Sequence, residues 1–204
     1  RIYLFGGKIG DTYPTTGDPS VSTTDAFVSD QIFEFNQQAD TITAKNARLP
    51  EPLAHSSAAP ATDKDGNKIF IFGGMDQFGQ ATNSIISYNP KASDDNRAVT
   101  RLAKTLRSPR GYLAAVPLDA NKIRVIGGET TMGRWDVVED YDALSHTVTP
   151  RPPLPATVGA LSQMGRSLED KILVGGIMNS PANNPNTMIF PQGDIYYIPG
   201  GAIA

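Results

Sequence analysis

Four short, largely apolar runs along the chain each end in a pair of glycines. The runs are Ile2–Phe5, Ile69–Phe72, Ile123–Ile126 and Ile172–Val174, and the pairs are Gly6 and Gly7, Gly73 and Gly74, Gly127 and Gly128, and Gly175 and Gly176. The first glycines of successive pairs are 67, 54 and 48 residues apart. Short apolar runs bounded by turn-forming residues predict strands, and their recurrence predicts an internal repeat of about 50 residues.

Polar turns and further strands keep phase with these glycine pairs. The turns Asp65–Lys68, Asp119–Lys122 and Glu169–Lys171 precede three of the runs and have the composition that closes β-hairpins. After each of the first three pairs comes a strand that ends in an aromatic residue followed by Asn or Asp: Ile32–Asn36, Ile86–Pro90 and Glu139–Asp142. A short fourth segment follows each of these strands, at Thr41–Thr43, Ala98–Thr100 and Thr147–Thr149. The order within each unit predicts an antiparallel meander.

Small residues dominate the strand that opens each unit. These strands are predicted at Ala54–Ala59, Gly111–Val116 and Val158–Ser162. Small side chains suit the innermost strand of a sheet, where several sheets converge on one axis. We therefore divide the chain into units of approximately residues 1–52, 53–109, 110–157 and 158–204. The first unit begins at its second strand and the last ends near its third strand, Asp194–Ile198.

In these in-phase features the chain resembles kelch-repeat proteins, the group that includes the galactose-oxidase-like propellers. The resemblance implies an all-β fold, a kelch-type β-propeller with about four blades of antiparallel four-stranded sheets. Four blades could in principle close a ring, but the incomplete first and last units favour part of a larger one. It also implies that all eight glycines of the pairs are structural, because glycine permits positive φ and close backbone approach at the end of the second strand. The chain departs from the family pattern in the fourth strand, where Ile42, Val99 and Val148 replace the usual Trp.

Composition excludes several partner classes. The net charge is -3 without a block of like charge, which argues against nucleic acid and against a polybasic membrane patch. No apolar run approaches the roughly 18 residues of a membrane span. Cysteine is absent, which excludes disulfides and leaves the compartment open, although Thr-, Asn- and Pro-rich loops favour a secreted or cell-envelope protein.

Reactive constellations are nearly absent, so we expect no catalytic residues, no metal site and no cofactor. The two histidines show no metal-ligand spacing; we interpret His55 as a structural polar residue of an inner strand and His146 as a solvated turn residue. The copper radical oxidases that the chain resembles need a Tyr cross-linked to Cys, and no Cys is present. Tyr88 and Tyr141 recur in phase and are interpreted as blade packing.

Loops are where function can vary without changing the fold, and alternate hairpin ends of a blade share one side. The loops after the glycine pairs should therefore lie on one face, the longest being Lys8 to Gln31 and then Ile177 to Gly193. The candidate ligand-binding residues are Asp76, Gln77, Phe78, Arg134 and Trp135 in the shorter loops, and Arg110 and Tyr112 where an inner strand could line the central channel. The alternatives are that Phe78 and Trp135 cover a blade edge and that Arg110 and Tyr112 pack between blades.

We expect a non-catalytic binding or scaffold module that recognises a protein or a glycan through the loops of one propeller face. The alternative is a carbohydrate-acting enzyme similar to the sialic-acid mutarotases of the kelch group, with Arg110, Glu129 and His55 as the candidate residues. The incomplete first and last units also predict that further β structure completes the propeller.

Overall fold

The computed structural model describes residues 1–9, 28–154 and 157, and then the strand residues 158–159, 162–164, 170–174, 177–178 and 195–199. Almost all regular structure in this part of the chain is antiparallel β, and its one helix, α1, is the four-residue turn Asp95–Ala98. The strands in chain order are β1 Ile2–Phe5, β2 Gln31–Asn36, β3 Thr41–Arg48, β4 Ser57–Asp63, β5 Gly66–Phe72, β6 Ile85–Tyr88, β7 Val99–Arg101, β8 Ala114–Pro117, β9 Lys122–Ile126, β10 Glu129–Thr130, β11 Gly133–Arg134, β12 Val138–Asp142, β13 Thr147–Arg151, β14 Val158–Gly159, β15 Ser162–Met164, β16 Asp170–Val174, β17 Ile177–Met178 and β18 Ile195–Pro199.

The strands form successive meanders, which we call blades 1 to 4. Blade 1 has the order β1-β2-β3, blade 2 β4-β5-β6-β7, blade 3 β8-β9-β12-β13, and blade 4 β15-β16-β18. The short pairs β10-β11 and β14-β17 lie at the ends of blades 3 and 4. The prediction of antiparallel meanders with little helix is confirmed, and successive sheets of this kind are consistent with a partial β-propeller.

The inner strands begin later than predicted. Ala54 and Gly111 make only isolated bridges, to Met75 and Glu129 respectively, and regular pairing starts three residues further on, at Ser57 and Ala114. A residue with positive φ follows each bridge, and the chain then re-enters the sheet. The prediction from small-residue composition therefore started these strands too early, because a residue with left-handed backbone conformation interrupts the hydrogen bonding between the strands.

The core lies between blades, not within one. Phe70, Phe72 and Ile85 of blade 2 pack with Val125 and Tyr141 of blade 3 in one buried cluster. The neighbouring strand positions of blade 2 point the other way: Ile71, Ile86 and Tyr88 share a second cluster with Ile32 of blade 1. Both faces of blade 2 are thus covered, which explains why its second strand reads as a continuous apolar run and not as an alternating pattern.

The recurrent aromatic residues of the third strands pack as predicted. Tyr88 is fully buried edge-to-face against Tyr3 and Phe5, with ring centroids 5.4 and 5.5 Å apart, and burial raises its pKa to about 12. Tyr141 is fully buried against Phe70 and Phe72. Both side chains therefore belong to the interfaces between blades.

The Asn or Asp that follows the third-strand aromatic closes the next hairpin. Asp142 Oδ1 accepts from the amides of Leu144 and Ser145, each at 2.9 Å, and Asn36 and Asn89 make the same kind of turn. His146 then adopts φ 53°. The interpretation of His146 as merely solvated is wrong, because its Nδ1 lies 2.7 Å from the hydroxyl of the buried Tyr141.

No helix within the described part of the chain is long and apolar enough to cross a membrane.

Candidate binding face

The loops after the glycine pairs lie at the same end of each blade, because each joins the second strand to the third. We call this end the loop face. It carries residues 75–84 in blade 2 and residues 129–137 in blade 3. The hairpins at Asp65 and Asp142 lie at the opposite end. Of the two longest loops, most of Lys8 to Gln31 and of Ile177 to Gly193 lies outside the described residues, as do Gly175 and Gly176.

The glycine pairs bring the inter-blade connections close to the loop face. Gly73 has φ 54°, and a Cβ there would lie 2.3 Å from the carbonyl oxygen of Arg110. The next amide, of Gly74, donates to that oxygen at 3.0 Å. Gly6, Gly7, Gly127 and Gly128 also have positive φ. At Gly73 glycine is needed because any side chain would collide with the connection that enters the next blade.

The loop that carries Asp76, Gln77 and Phe78 is closed by one carboxylate. Asp76 Oδ1 accepts from the amides of Phe78 and Gln80, each at 2.8 Å, and Gly79 completes the turn with φ 73°. The Phe78 side chain is 64% exposed. The alternative that Phe78 covers a blade edge is therefore not what the structure shows: the loop presents the ring to solvent.

The corresponding loop of blade 3 forms a short hairpin, whose strands β10 and β11 have two residues each. Arg134 pairs with Glu129 at 3.1 Å across the hairpin, and Met132 at its tip is 90% exposed. Trp135 is only partly exposed, and its amide donates to the carbonyl oxygen of Gly128 at 2.9 Å. Met132, which our sequence analysis did not choose, is thus the most exposed apolar side chain of this loop.

Two aromatic rings stack where the inner strands of blades 2 and 3 begin. His55 and Tyr112 lie with ring centroids 3.9 Å apart and planes at 16°, and the Tyr112 amide donates to the His55 carbonyl oxygen. Their φ angles are 55° and 54°, a region that non-glycine side chains seldom adopt. Each follows the bridge residue of its blade, Ala54 or Gly111. The bridges therefore show that His55 and Tyr112 occupy equivalent positions in their blades, which the sequence alone does not reveal.

Electrostatics around the stack keep both rings uncharged. Burial, together with the nearby Lys8, lowers the pKa of His55. Burial, together with Glu129, raises the pKa of Tyr112. At neutral pH the stack is therefore a neutral aromatic surface between a lysine on blade 1 and a carboxylate on blade 3.

Arg110 does not line a channel. Its interpretation as a ligand-contacting residue is therefore wrong. The side chain is fully buried, and its Nη2 lies 2.8 Å from Glu139 Oε2 on β12. A second nitrogen, Nη1, donates to the carbonyl oxygen of Ser108 at 3.1 Å. Burial lowers the pKa of the guanidinium, and the Glu139 carboxylate opposes this shift. Sequence analysis missed the partner because Glu139 lies 29 positions away, in a different strand.

The three residues considered for an enzymatic role each contact a different side chain. Arg110 pairs with Glu139, Glu129 pairs with Arg134, and His55 stacks on Tyr112. Among the described residues there is also no group of three His, Asp or Glu side chains that could hold a metal ion.

Comparison with protein families supports the fold that the geometry describes. The family model for the kelch motif matches residues 61–94, a span that runs from β4 through β5 and β6 to the turn after Tyr88. The chain contains a kelch motif. Kelch motifs in general indicate a protein-interaction or scaffold module. A search of curated proteins found no match to this chain.

Proposed function

We propose that this kelch chain is a non-catalytic binding module that captures a protein or a glycan on its loop face. The observation that carries the proposal is the exposed Phe78 ring, 64% accessible on a loop that its own Asp76 holds in place. An aromatic side chain on a rigid loop binds at low entropic cost, because little freedom remains to be lost. The exposed Met132 on the next blade adds an adaptable apolar contact.

The surrounding polar groups suit recognition of a mixed surface. Gln77 is exposed beside Phe78, and the Glu129–Arg134 pair lies beneath the tip of the neighbouring hairpin. Aromatic rings flanked by amide and charged groups are typical of binding hot spots and of sugar-stacking platforms. Trp135, Tyr112 and His55 are proposed to extend this surface towards the axis.

The test compares apolar side chains at the two ends of the blades. Binders are first selected against the wild-type chain from a glycan array and a displayed peptide library. We expect Phe78→Ala and Met132→Ala each to weaken the selected binders about tenfold, in the range of a moderate hot spot. Leu144→Ala is the matched control, since Leu144 is 52% exposed on a hairpin at the opposite end.

All three variants should melt within about 2 °C of the wild type, because exposed side chains contribute little to stability. If the selected binders keep their affinity for Phe78→Ala and Met132→Ala, or lose as much affinity for Leu144→Ala, the loop face is not the binding surface.

We further propose that additional β structure completes the propeller beside blade 1. Blade 1 has three strands where blades 2 and 3 have four.

A further inference from the structure

One face of blade 1 is apolar and carries three exposed side chains. The register pairs Ile2 with Phe35 and Phe35 with Ile42, and it pairs Leu4 with Phe33, so these five side chains share a face. Ile2, Leu4 and Ile42 are 46%, 50% and 64% exposed. We call these five residues the open face. It carries no charged residue, and apolar surfaces of this kind mark interaction sites.

The repeat shows what normally covers such a face. Counting from the glycine pair and the third-strand aromatic, the open face corresponds to positions that blades 2 and 3 bury against the preceding blade. The equivalents are Ile69, Ile71, Ile86, Tyr88 and Val99 in blade 2, and Ile123, Val125, Glu139, Tyr141 and Val148 in blade 3. In both blades these side chains are buried or pack against a buried cluster.

The inner edge of blade 1 shows the same incompleteness. In blades 2 and 3 the second strand pairs with an inner strand, β4 or β8, but among the described strands β1 is the end strand of its sheet. The amide of Gly6 donates to Gln31 on the β2 side. Because backbone amides alternate along a strand, those of Tyr3 and Phe5 point to the other side, where an inner strand would lie.

We propose that the open face and the β1 edge together dock one further kelch-type blade, and that the connection leaving it donates an inner strand antiparallel to β1. The proposal rests on the proposed association with further β structure and names its site and its partner. The partner presents apolar second-strand side chains to the open face, as Phe70 and Phe72 of blade 2 do towards blade 3. Its donated strand has small residues, as β8 has.

The chain supplies its own probe for this site. Residues 54–121 contain blade 2, the connection that follows it and the inner strand β8, and Asn121 precedes Lys122 at the repeat position of Arg1. Fusing a second copy of residues 54–121 directly before Arg1 therefore places β8 beside β1 through the natural turn. The fused copy carries Arg110→Leu, because Phe33 stands at the position of Glu139 and would leave the arginine unpaired.

We expect the fusion to raise the melting temperature by about 5 °C or more, because it covers several large apolar side chains. The Tyr3 and Phe5 amides should become protected in hydrogen exchange, and binding of a hydrophobic dye should fall. Leu4→Glu in the fusion should abolish the gain. The matched control attaches the same segment to the C-terminus through a flexible linker, and this should not protect β1.

A second measurement does not require the fusion to fold. In the unfused chain Leu4→Ser should leave the melting temperature nearly unchanged, whereas Ile71→Ser, its equivalent in blade 2, should lower it strongly. Equal losses would mean that the open face is already covered, and the proposal would be wrong. A stable dimer of the unfused chain with protected β1 amides would overturn it in favour of a second copy as the occupant.

A folded fusion without gain in stability or protection would also overturn the proposal. The loop-face binders are titrated against the fused and unfused chains in parallel. Their affinity depends on Phe78 and not on Leu4, so failure of the docking proposal and failure of the loop-face proposal give different results.

Discussion

The buried pair Arg110–Glu139 offers a test of how the blades are joined. Both side chains are almost completely inaccessible, at 0% and 1% exposure. The equivalent positions at the preceding junction are Leu53 and Ile86, which are both fully buried in one apolar cluster. The chain therefore builds the same junction twice, once with an ion pair and once with two apolar side chains.

We expect Arg110→Leu alone to destabilise the chain by about 3–5 kcal/mol, because it leaves the Glu139 carboxylate buried without its partner. At about 2–4 °C per kcal/mol for a chain of this size, the melting temperature should fall by roughly 6–20 °C. Glu139→Ile alone should have a similar effect, because it leaves the guanidinium unpaired.

The double variant Arg110→Leu with Glu139→Ile should regain most of this stability, because an apolar pair can replace a buried ion pair with little loss. A deficit of about 1 kcal/mol should remain, because Glu139 Oε1 also accepts from the Arg107 amide at 3.1 Å. At the junction with Leu53 the equivalent residue is Pro50, which has no amide to satisfy.

The assay is urea unfolding of the four proteins, analysed as a double-mutant cycle at constant m-value. We expect a coupling energy of at least about 2 kcal/mol. If Arg110→Leu cost less than about 1 kcal/mol, or if the two single effects simply added, the reasoning about this junction would be refuted.

Three further predictions concern stability. Gly73→Ala should destabilise by more than about 2 kcal/mol in urea unfolding, because its Cβ would lie 2.3 Å from a backbone oxygen; Gly111→Ala should cost less, since it meets the flexible Met75 side chain at 3.1 Å. His146→Asn should cost about 1–2 kcal/mol by removing the partner of the buried Tyr141 hydroxyl, and a loss within 0.5 kcal/mol, as expected of a surface change, would contradict this. Burial would raise the pKa of Asp63, but the ion pair with Lys68 at 2.7 Å and the hydrogen bond from the Asp65 amide outweigh burial and lower this pKa, so the stabilising contribution of Asp63 is present above the ordinary pKa of about 4 and disappears as pH falls through the lowered value. Asp63→Asn should therefore flatten the acid limb of a stability curve measured against pH, and an unchanged limb would argue against this pair.

Most of the strands could be predicted because their signals are local. An apolar run, a glycine pair and an Asp or Asn turn are contained within a few residues, and β5, β6 and β12 were expected within one to three residues of where they lie. The loop face followed from the same information, because strand order alone decides which hairpins share an end. The exposure of Phe78 was among the expectations; that of Met132 was not.

The inner strands and the site residues near the axis were predicted less well. His55 and Tyr112 interrupt their strands with positive φ and stack on each other, yet nothing in the neighbouring sequence indicates a left-handed residue. Arg110 looked available because long polar side chains are usually exposed, whereas its burial depends on the Glu139 carboxylate on β12, far away in the sequence.

The sequence by itself determined the repeat, the antiparallel meander and the end of each blade that carries the variable loops, because all of these depend on periodicity and turn chemistry. Only the tertiary structure decided which apolar faces are covered. Ile71 and Leu4 occupy equivalent positions in similar runs, yet Ile71 is 1% exposed and Leu4 is 50% exposed. The physical reason is that burial of a sheet face requires a neighbouring sheet, and the presence of that neighbour is not encoded in the pattern of the strand.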